Sequence, residues 1–276
     1  MKNTFIILMS YIIMLLGCKA TSRFSENISQ KNKEPKWKLV FEDSFNSRGD
    51  FNQKKWTFSP RGNSPWSKYL TPSSKYVYQS GGSLMLMMDN QKIDEDNVPY
   101  HSGGIQTKGK FSFLYGKVEV KAKFKSGKGA WPAIWMMPEK STYGTWPNSG
   151  EIDIMEQVNF EKVAHQTIHN ASVTNSKGNS SATHAAKYKL NDFNIYGIIW
   201  TPKYIQFYVN NILQYTYNKP ENADYKTWPF DQPFYLILNQ SGGLGWPGAI
   251  LDADLPFNIQ VDWVKVYQEN KSRTYF

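Results

Sequence analysis

This sequence offers almost nothing with which to cross-link a chain or thread it through a bilayer. A single cysteine among 276 residues rules out an internal disulfide, so packing alone must hold the fold. No apolar run reaches the roughly 20 residues that a membrane-spanning helix requires; the longest runs only from Phe5 to Leu16. No stretch sustains a long helical period, which leaves β-structure as the source of a core. There is no internal repeat, no second linker, and nothing resembling a nucleic-acid-binding motif, so nucleic acid is not an expected partner.

The short apolar run has a meaning of its own. It follows Met1-Lys2-Asn3-Thr4 and ends in Leu15-Leu16-Gly17-Cys18, a charged start, an apolar centre and a cleavage-like end, as in a secretory signal. The ending resembles a bacterial lipobox, which makes the lone Cys18 a lipidated thiol at the mature N-terminus; the blander alternative is a signal peptide with an incidental cysteine. Residues 1–17 are thus expected to be a lipoprotein signal. Residues 18–35, rich in Ser, Asn, Lys and Glu without apolar period, form a flexible tether. One domain is expected over 36–270, with a tail at 271–276. The expected location is outside the inner membrane, lipid-anchored at the outer membrane or cell surface of a Gram-negative bacterium, and the expected state is a monomer.

The net charge is +9, but the lysines are spread through tether, strands and loops, so a solvated basic surface explains them as well as a sulfated or sialylated partner does. Aromatic content says more: 16% of residues, including 10 Trp and 17 Tyr. Rings in that number fill the core of a β-sandwich or line a groove where the C–H faces of sugars stack on them.

Val118, Val120, Ala122 and Phe124 alternate with Lys117, Glu119, Lys121 and Lys123, the period of two that a strand with one wet face requires. Ile205–Val209 and Ile212–Tyr217 flank Asn210-Asn211, a pair that tolerates positive φ and predicts a tight hairpin. Phe234–Leu238 and Phe257–Tyr267 read as further strands, with Gly and Pro punctuating the intervals. Many short strands in one domain predict an all-β fold, a sandwich of two antiparallel sheets whose outer surface can be concave.

The segment Gly150-Glu151-Ile152-Asp153-Ile154-Met155-Glu156 places three acids among apolar neighbours. In a regular strand Glu151 and Asp153 share a face and Glu156 points away. One inserted residue, a β-bulge near Ile154–Met155, returns Glu156 to that face. Two such carboxyl groups brought to about 5–5.5 Å perform retaining glycoside hydrolysis. On that chemistry Glu151 is the nucleophile, Glu156 the acid/base, and Asp153 a hydrogen-bond partner between them. Mutual repulsion raises at least one pKa, keeping a proton available near neutrality. A strand whose acids merely face solvent is the alternative.

Gly129-Ala130-Trp131-Pro132-Ala133-Ile134-Trp135-Met136 followed by the acid strand resembles glycoside hydrolase family 16, its laminarinase-like branch with an E-x-D-x-x-E motif. Phe41-Glu42-Asp43-Ser44-Phe45, Tyr115-Gly116-Lys117-Val118-Glu119 and Val261-Asp262-Trp263-Val264-Lys265-Val266-Tyr267 extend the match. The resemblance implies a jelly-roll sandwich with a concave substrate cleft, endo-acting hydrolysis with retention, and the same roles for Glu151, Asp153 and Glu156. No cofactor is required by this chemistry. The resemblance also implies a structural Ca²⁺ near Asp262 and the backbone of Glu42 and Gly82, against which stands an ordinary surface Asp262.

Trp131, Trp135, Trp146 and Trp66 are the candidate sugar platforms, and His169 the histidine nearest the scissile bond in this family's pattern. A zinc reading of His165-x-x-x-His169 lacks the glutamate of H-E-x-x-H and a helix to carry it. Where laminarinases usually carry an E-x-Q-x-Y-T segment, this chain has Ser64-Pro65-Trp66-Ser67-Lys68-Tyr69-Leu70. That departure resembles the lipid-anchored gut-bacterial members that cut β-galactosyl linkages in mucin-type O-glycans or poly-N-acetyllactosamine. An endo-β-1,3- or mixed-linkage glucanase is the alternative, and a non-catalytic glycan-binding lipoprotein a further one. The expected partners are therefore a glycan substrate and a membrane.

Overall fold

A computed structural model describes residues 37–94 and 96–270. The signal, Cys18, the tether and the 271–276 tail lie outside the described residues.

Sixteen strands make up two sheets. In chain order they are β1 (Trp37–Asp43), β2 (Thr57–Phe58), β3 (Val77–Ser80), β4 (Ser83–Asp89), β5 (His101–Ser102) and β6 (Gly104–Gln106). Then come β7 (Gly116–Lys125), β8 (Ala130–Pro138), β9 (Glu151–Glu156), β10 (Val163–His169) and β11 (Thr183–Lys187). The chain closes with β12 (Asn194–Trp200), β13 (Tyr204–Val209), β14 (Ile212–Asn218), β15 (Phe234–Gly242) and β16 (Phe257–Glu269). One sheet runs β14-β13-β12-β7-β16-β4-β3, with β1 added on β16 and β5 on β4; the other runs β11-β10-β9-β8-β15-β6-β2. Every strand pairing within the sheets is antiparallel. The only helical pieces among the described residues are two three-residue 3₁₀ turns.

The alternation that predicted β7 operates as expected. Val118, Val120 and Ala122 are fully enclosed between the sheets, while Lys117 pairs with Glu119 at 2.7 Å and Lys121 with Asp262 at 2.7 Å on the outer face. Asn210 and Asn211 take φ of 51° and 65° to close the β13–β14 hairpin, matching the handed twist of the strands they join. The inter-sheet core interleaves Ile134, Met136, Ile152, Leu236 and Leu238 with Val118, Val120, Val264 and Val266. Each such side chain contributes about 1.5–3 kcal/mol by leaving water. Two buried indoles keep their N–H groups satisfied: Trp56 donates to Asp43 Oδ2 at 2.9 Å and Trp200 to the Phe230 carbonyl at 3.1 Å.

The outer face of the seven-stranded sheet departs from a plain wet surface. Asp153 and Asn239 are 1% exposed and Trp135 is 6% exposed, although none belongs to the inter-sheet core. Segments rising around this face enclose it as a cleft. Arg61 pins one wall, donating to both carboxylate oxygens of Asp96 at 2.8 and 2.6 Å and to the Leu70 carbonyl at 2.8 Å. The same wall is tied to β15 by Ser241 Oγ, which donates to the Trp66 carbonyl at 2.5 Å.

Candidate active site

The predicted irregularity in β9 is present. Against β8, Met155 pairs with Ile134 but Asp153 pairs with Trp135; against β10, Glu156 pairs with His165 and Asp153 with Thr167. One residue of β9 is therefore extra on both sides. Ile154 and Met155 both enter the core with no exposed surface, and Glu156 turns back to the face that carries Glu151 and Asp153. The β10 side chains opposite them are His165, Thr167 and His169.

Glycine decides where β9 begins. Gly150 has φ of +83°, and a Cβ there would meet the Phe230 ring at 2.8 Å and the Pro229 ring at 2.9 Å. The preceding loop is fixed by Ser149, whose Oγ accepts from the Tyr143 backbone N–H at 3.0 Å and donates to the Gly144 carbonyl at 2.7 Å. This loop carries Trp146, whose indole N–H donates to Glu151 Oε2 at 2.7 Å. At the other end of the strand the Trp131 indole N–H donates to Glu156 Oε1 at 2.8 Å.

His169 Nε2 lies 3.4 Å from Asp153 Oδ2 and 3.9 Å from Glu151 Oε1, and its Nδ1 is 3.0 Å from Thr174 Oγ1. Asp153 Oδ2 is enclosed with no hydrogen-bond partner among the described residues. All three carboxyl groups are held above their ordinary range. For Glu151 the causes are burial first, then repulsion from Asp153, with His169 opposing. For Asp153 they are burial and then repulsion from Glu156. For Glu156 burial raises the value, and the Trp131 N–H and His169 partly offset it. Burial and their mutual repulsion thus oppose full ionisation of Glu151 and Asp153 together. The nearest ligand atoms of Glu151, Asp153 and His169 lie within 4.8 Å of one another, a spacing set by the approach of His169 to both carboxyl groups.

The sugar-platform expectations divide. Trp146 is 44% exposed, its ring 5.5 Å from His169. Trp131 is half-buried beside the Trp246 ring at 6.1 Å. Trp135 faces the cleft as its parity predicts, but it is no open platform. Trp66 covers it edge-on at 4.8 Å, and its N–H is committed to Asn239 Oδ1 at 2.7 Å. It forms the floor, and Trp66 packs over it. His165 and His169 share the face without meeting: His165 binds Glu161 at 2.5 Å and packs on Trp246 at 4.8 Å. Trp246 went unassigned in the sequence, although a tryptophan inside Gly242-Gly243-Leu244-Gly245-Trp246 was a usable signal. Gly245 has φ of +68°, and a Cβ there would meet Pro65 at 2.8 Å, so only glycine lets that loop approach the opposite wall.

The calcium expectation at Asp262 fails on its donors. Asp262 Oδ2 is held by Lys121, the Glu42 carbonyl accepts from Lys55 Nζ at 2.5 Å, and the Glu42 carboxylate lies 3.3 Å from Lys265 Nζ. Ammonium groups already hold Asp262 Oδ2 and the Glu42 oxygens, so these atoms, as they stand, do not fit a hard cation.

Comparison with known proteins agrees with this geometry. The family model "Glycosyl hydrolases family 16" matches residues 65–265. A keratan-sulfate endo-1,4-β-galactosidase from Sphingobacterium multivorum is 55% identical over 233 residues, covering 84% of this chain and 55% of its own length. The chain thus spans little more than half of that relative. Among solved structures, the laminarinase from Rhodothermus marinus superposes with a TM-score of 0.80 at 33% identity, covering 87% of this chain and 100% of that one. A structure from work on endo-acting O-glycanases that human gut microbiota express to initiate mucin breakdown gives a TM-score of 0.73 at 31% identity, covering 83% and 98%.

Proposed function

The chain belongs to glycosyl hydrolase family 16, and we propose that it is a retaining endo-β-glycosidase acting on internal β-galactosyl linkages of poly-N-acetyllactosamine or mucin-type O-glycans. The observation that carries the reaction type is the bulged β9, which sets Glu151, Asp153 and Glu156 on one recessed face. A Glu151 carboxylate oxygen attacks the anomeric carbon as the bond from that carbon to the leaving oxygen breaks. The released electron pair takes the Glu156 proton. Glu156 then removes a proton from water, the water oxygen bonds the anomeric carbon, and Glu151 departs. Asp153, beside Glu151 on the same face of β9, steadies that carboxylate in both steps. The chemistry is complete with these groups and requires no cofactor.

The galactosyl preference rests on the 55% identity to the galactosidase and on the Trp66–Leu70 wall, whose exposed Lys68 suits a decorated or acidic chain. A glucanase reading is favoured by the laminarinase superposition. Incubating residues 36–276 with keratan sulfate, mucin O-glycans, laminarin and barley β-glucan, then identifying the new reducing-end sugar, separates the two. Galactose is expected, and glucose as the sole new end, with mucin untouched, contradicts the preference.

Lipidation at Cys18 and attachment to a membrane complete the reading, motivated by the Leu15–Cys18 ending. Multiple acyl chains anchor firmly where one is marginal. Cys18→Ser is expected to move the protein from the membrane fraction to the soluble fraction; an unchanged distribution contradicts the anchor.

A further inference from the structure

Trp131 and Trp146 were expected to serve the sugar with their ring faces, yet the contact each makes through its edge is with a carboxylate. The indole N–H is a donor only, with no capacity to accept. Trp131 directs it at Glu156 Oε1 at 2.8 Å. Among the described residues no hydrogen bond reaches Oε2 of the same group, and that atom is not enclosed. The indole cannot swing away freely. Its ring is packed against Trp246, which is held in turn by His165, and the Trp246 loop is braced against Pro65 at Gly245.

A protonated carboxyl group has one hydroxyl oxygen and one carbonyl oxygen, and a fixed N–H donor favours the latter, the stronger acceptor. We propose that Trp131 is a positioning residue for the acid/base: its indole N–H keeps Oε1 of Glu156 as the acceptor and confines the transferable proton to Oε2. This rests on the role given above to Glu156. The proton then leaves Oε2 for the glycosidic oxygen as the anomeric C–O bond breaks, and the carboxylate that remains keeps its bond to the indole. In the second half-reaction Oε2 takes a proton from water, and the cycle closes on the same atom. The N–H bond is stronger to the anion than to the acid, so it also favours proton release against the raised affinity that burial imposes. The other titratable groups facing Glu156 are Asp153 and Glu151 on β9, and His165 and His169 on β10; Glu161 stands behind His165.

Trp131→Phe keeps an aromatic face for the sugar and removes the N–H together with the five-membered ring that carries it. Two substrates report on it: the glycan, whose sugar leaving group needs a proton, and a dinitrophenyl β-glycoside of the same oligosaccharide, whose phenolate departs without one. The ratio of kcat/KM for glycan to kcat/KM for aryl glycoside is expected to fall at least about tenfold. The alkaline limb of the kcat/KM profile for the glycan is expected to move up by about one pH unit, because the anion has lost its donor. Equal losses on both substrates with an unmoved limb, in a variant that melts like the parent, overturn the proposal and leave Trp131 a platform only. Should the variant not fold, ¹⁵N-labelled parent decides: the assigned Trp131 indole resonance is expected to titrate with Glu156 and to stop titrating in Glu156→Gln, and an indole indifferent to that substitution overturns the proposal. Glu156→Gln measured on the glycan keeps the two ideas apart, since high activity there removes the acid/base role itself, whatever Trp131 does.

Discussion

Replacing Glu151 by Gln is expected to lower kcat on the glycan by about 10⁴-fold or more, the scale on which loss of a nucleophile is felt, and Glu156→Gln by about 10²–10⁴-fold, the scale of general acid catalysis. The two should differ in a further respect. A leaving group that departs without a proton restores the first step in Glu156→Gln and does nothing for Glu151→Gln. Neither substitution removes a group from the inter-sheet core, and each amide retains an oxygen to accept the indole N–H of Trp146 or Trp131. Melting temperatures near or above the parent's are therefore expected, and steady-state kinetics beside thermal unfolding check both statements. Glu151→Gln retaining a tenth of parental activity would falsify the assignment.

The second expectation concerns Asp153, which combines 1% exposure, an Oδ2 that receives no hydrogen bond from the described residues and a carboxyl held above its ordinary range. A carboxyl group whose folded pKa lies above its unfolded value contributes stability below the unfolded value, near pH 4. That contribution is lost as pH rises through the folded value. The parent therefore carries the cost of this buried charge near neutrality and not in acid. Asp153→Asn keeps the shape and removes the titration. It is expected to melt about 2–4 °C higher than the parent at pH 8 for each ~1 kcal/mol relieved in a domain of this size, with the gain vanishing near pH 4. Activity is expected to fall about 10- to 100-fold, less than for either glutamate, because Asp153 acts on Glu151 and not on the sugar. Scans at both pH values test it. A variant less stable than the parent by the same margin at pH 4 and pH 8 contradicts the account of a strained acid cluster.

Much of this was legible in the residues because the signals were local. The wet face of β7 and the Asn210-Asn211 turn are short-range patterns, and both stand where the alternation and the turn chemistry put them. The bulge was legible for a less common reason: Glu156 had the wrong parity, and one extra residue was the smallest repair. What stayed hidden depends on distant partners. Trp135 reads as a platform until Trp66 and Asn239, far away in the chain, close over it. Asp262 reads as an ion ligand until Lys121 on the neighbouring strand takes its oxygen. The resemblance transmits a position in a pattern, but not the charge of the side chain across from it. The edge-on use of Trp131 and Trp146 is hidden in the same way, since the composition of a strand does not say which part of an indole meets which atom.

The roles of the two glutamates are distinguished most directly by the configuration of the azide product. Azide added to Glu151→Gly acts from the side the carboxylate left vacant, displacing the leaving group in a single inversion while Glu156 still supplies its proton. The account predicts an α-glycosyl azide from Glu151→Gly and a β-glycosyl azide from Glu156→Gly, where Glu151 first forms the covalent intermediate and azide then opens it. A β-azide from Glu151→Gly, read from the anomeric proton coupling, would contradict it.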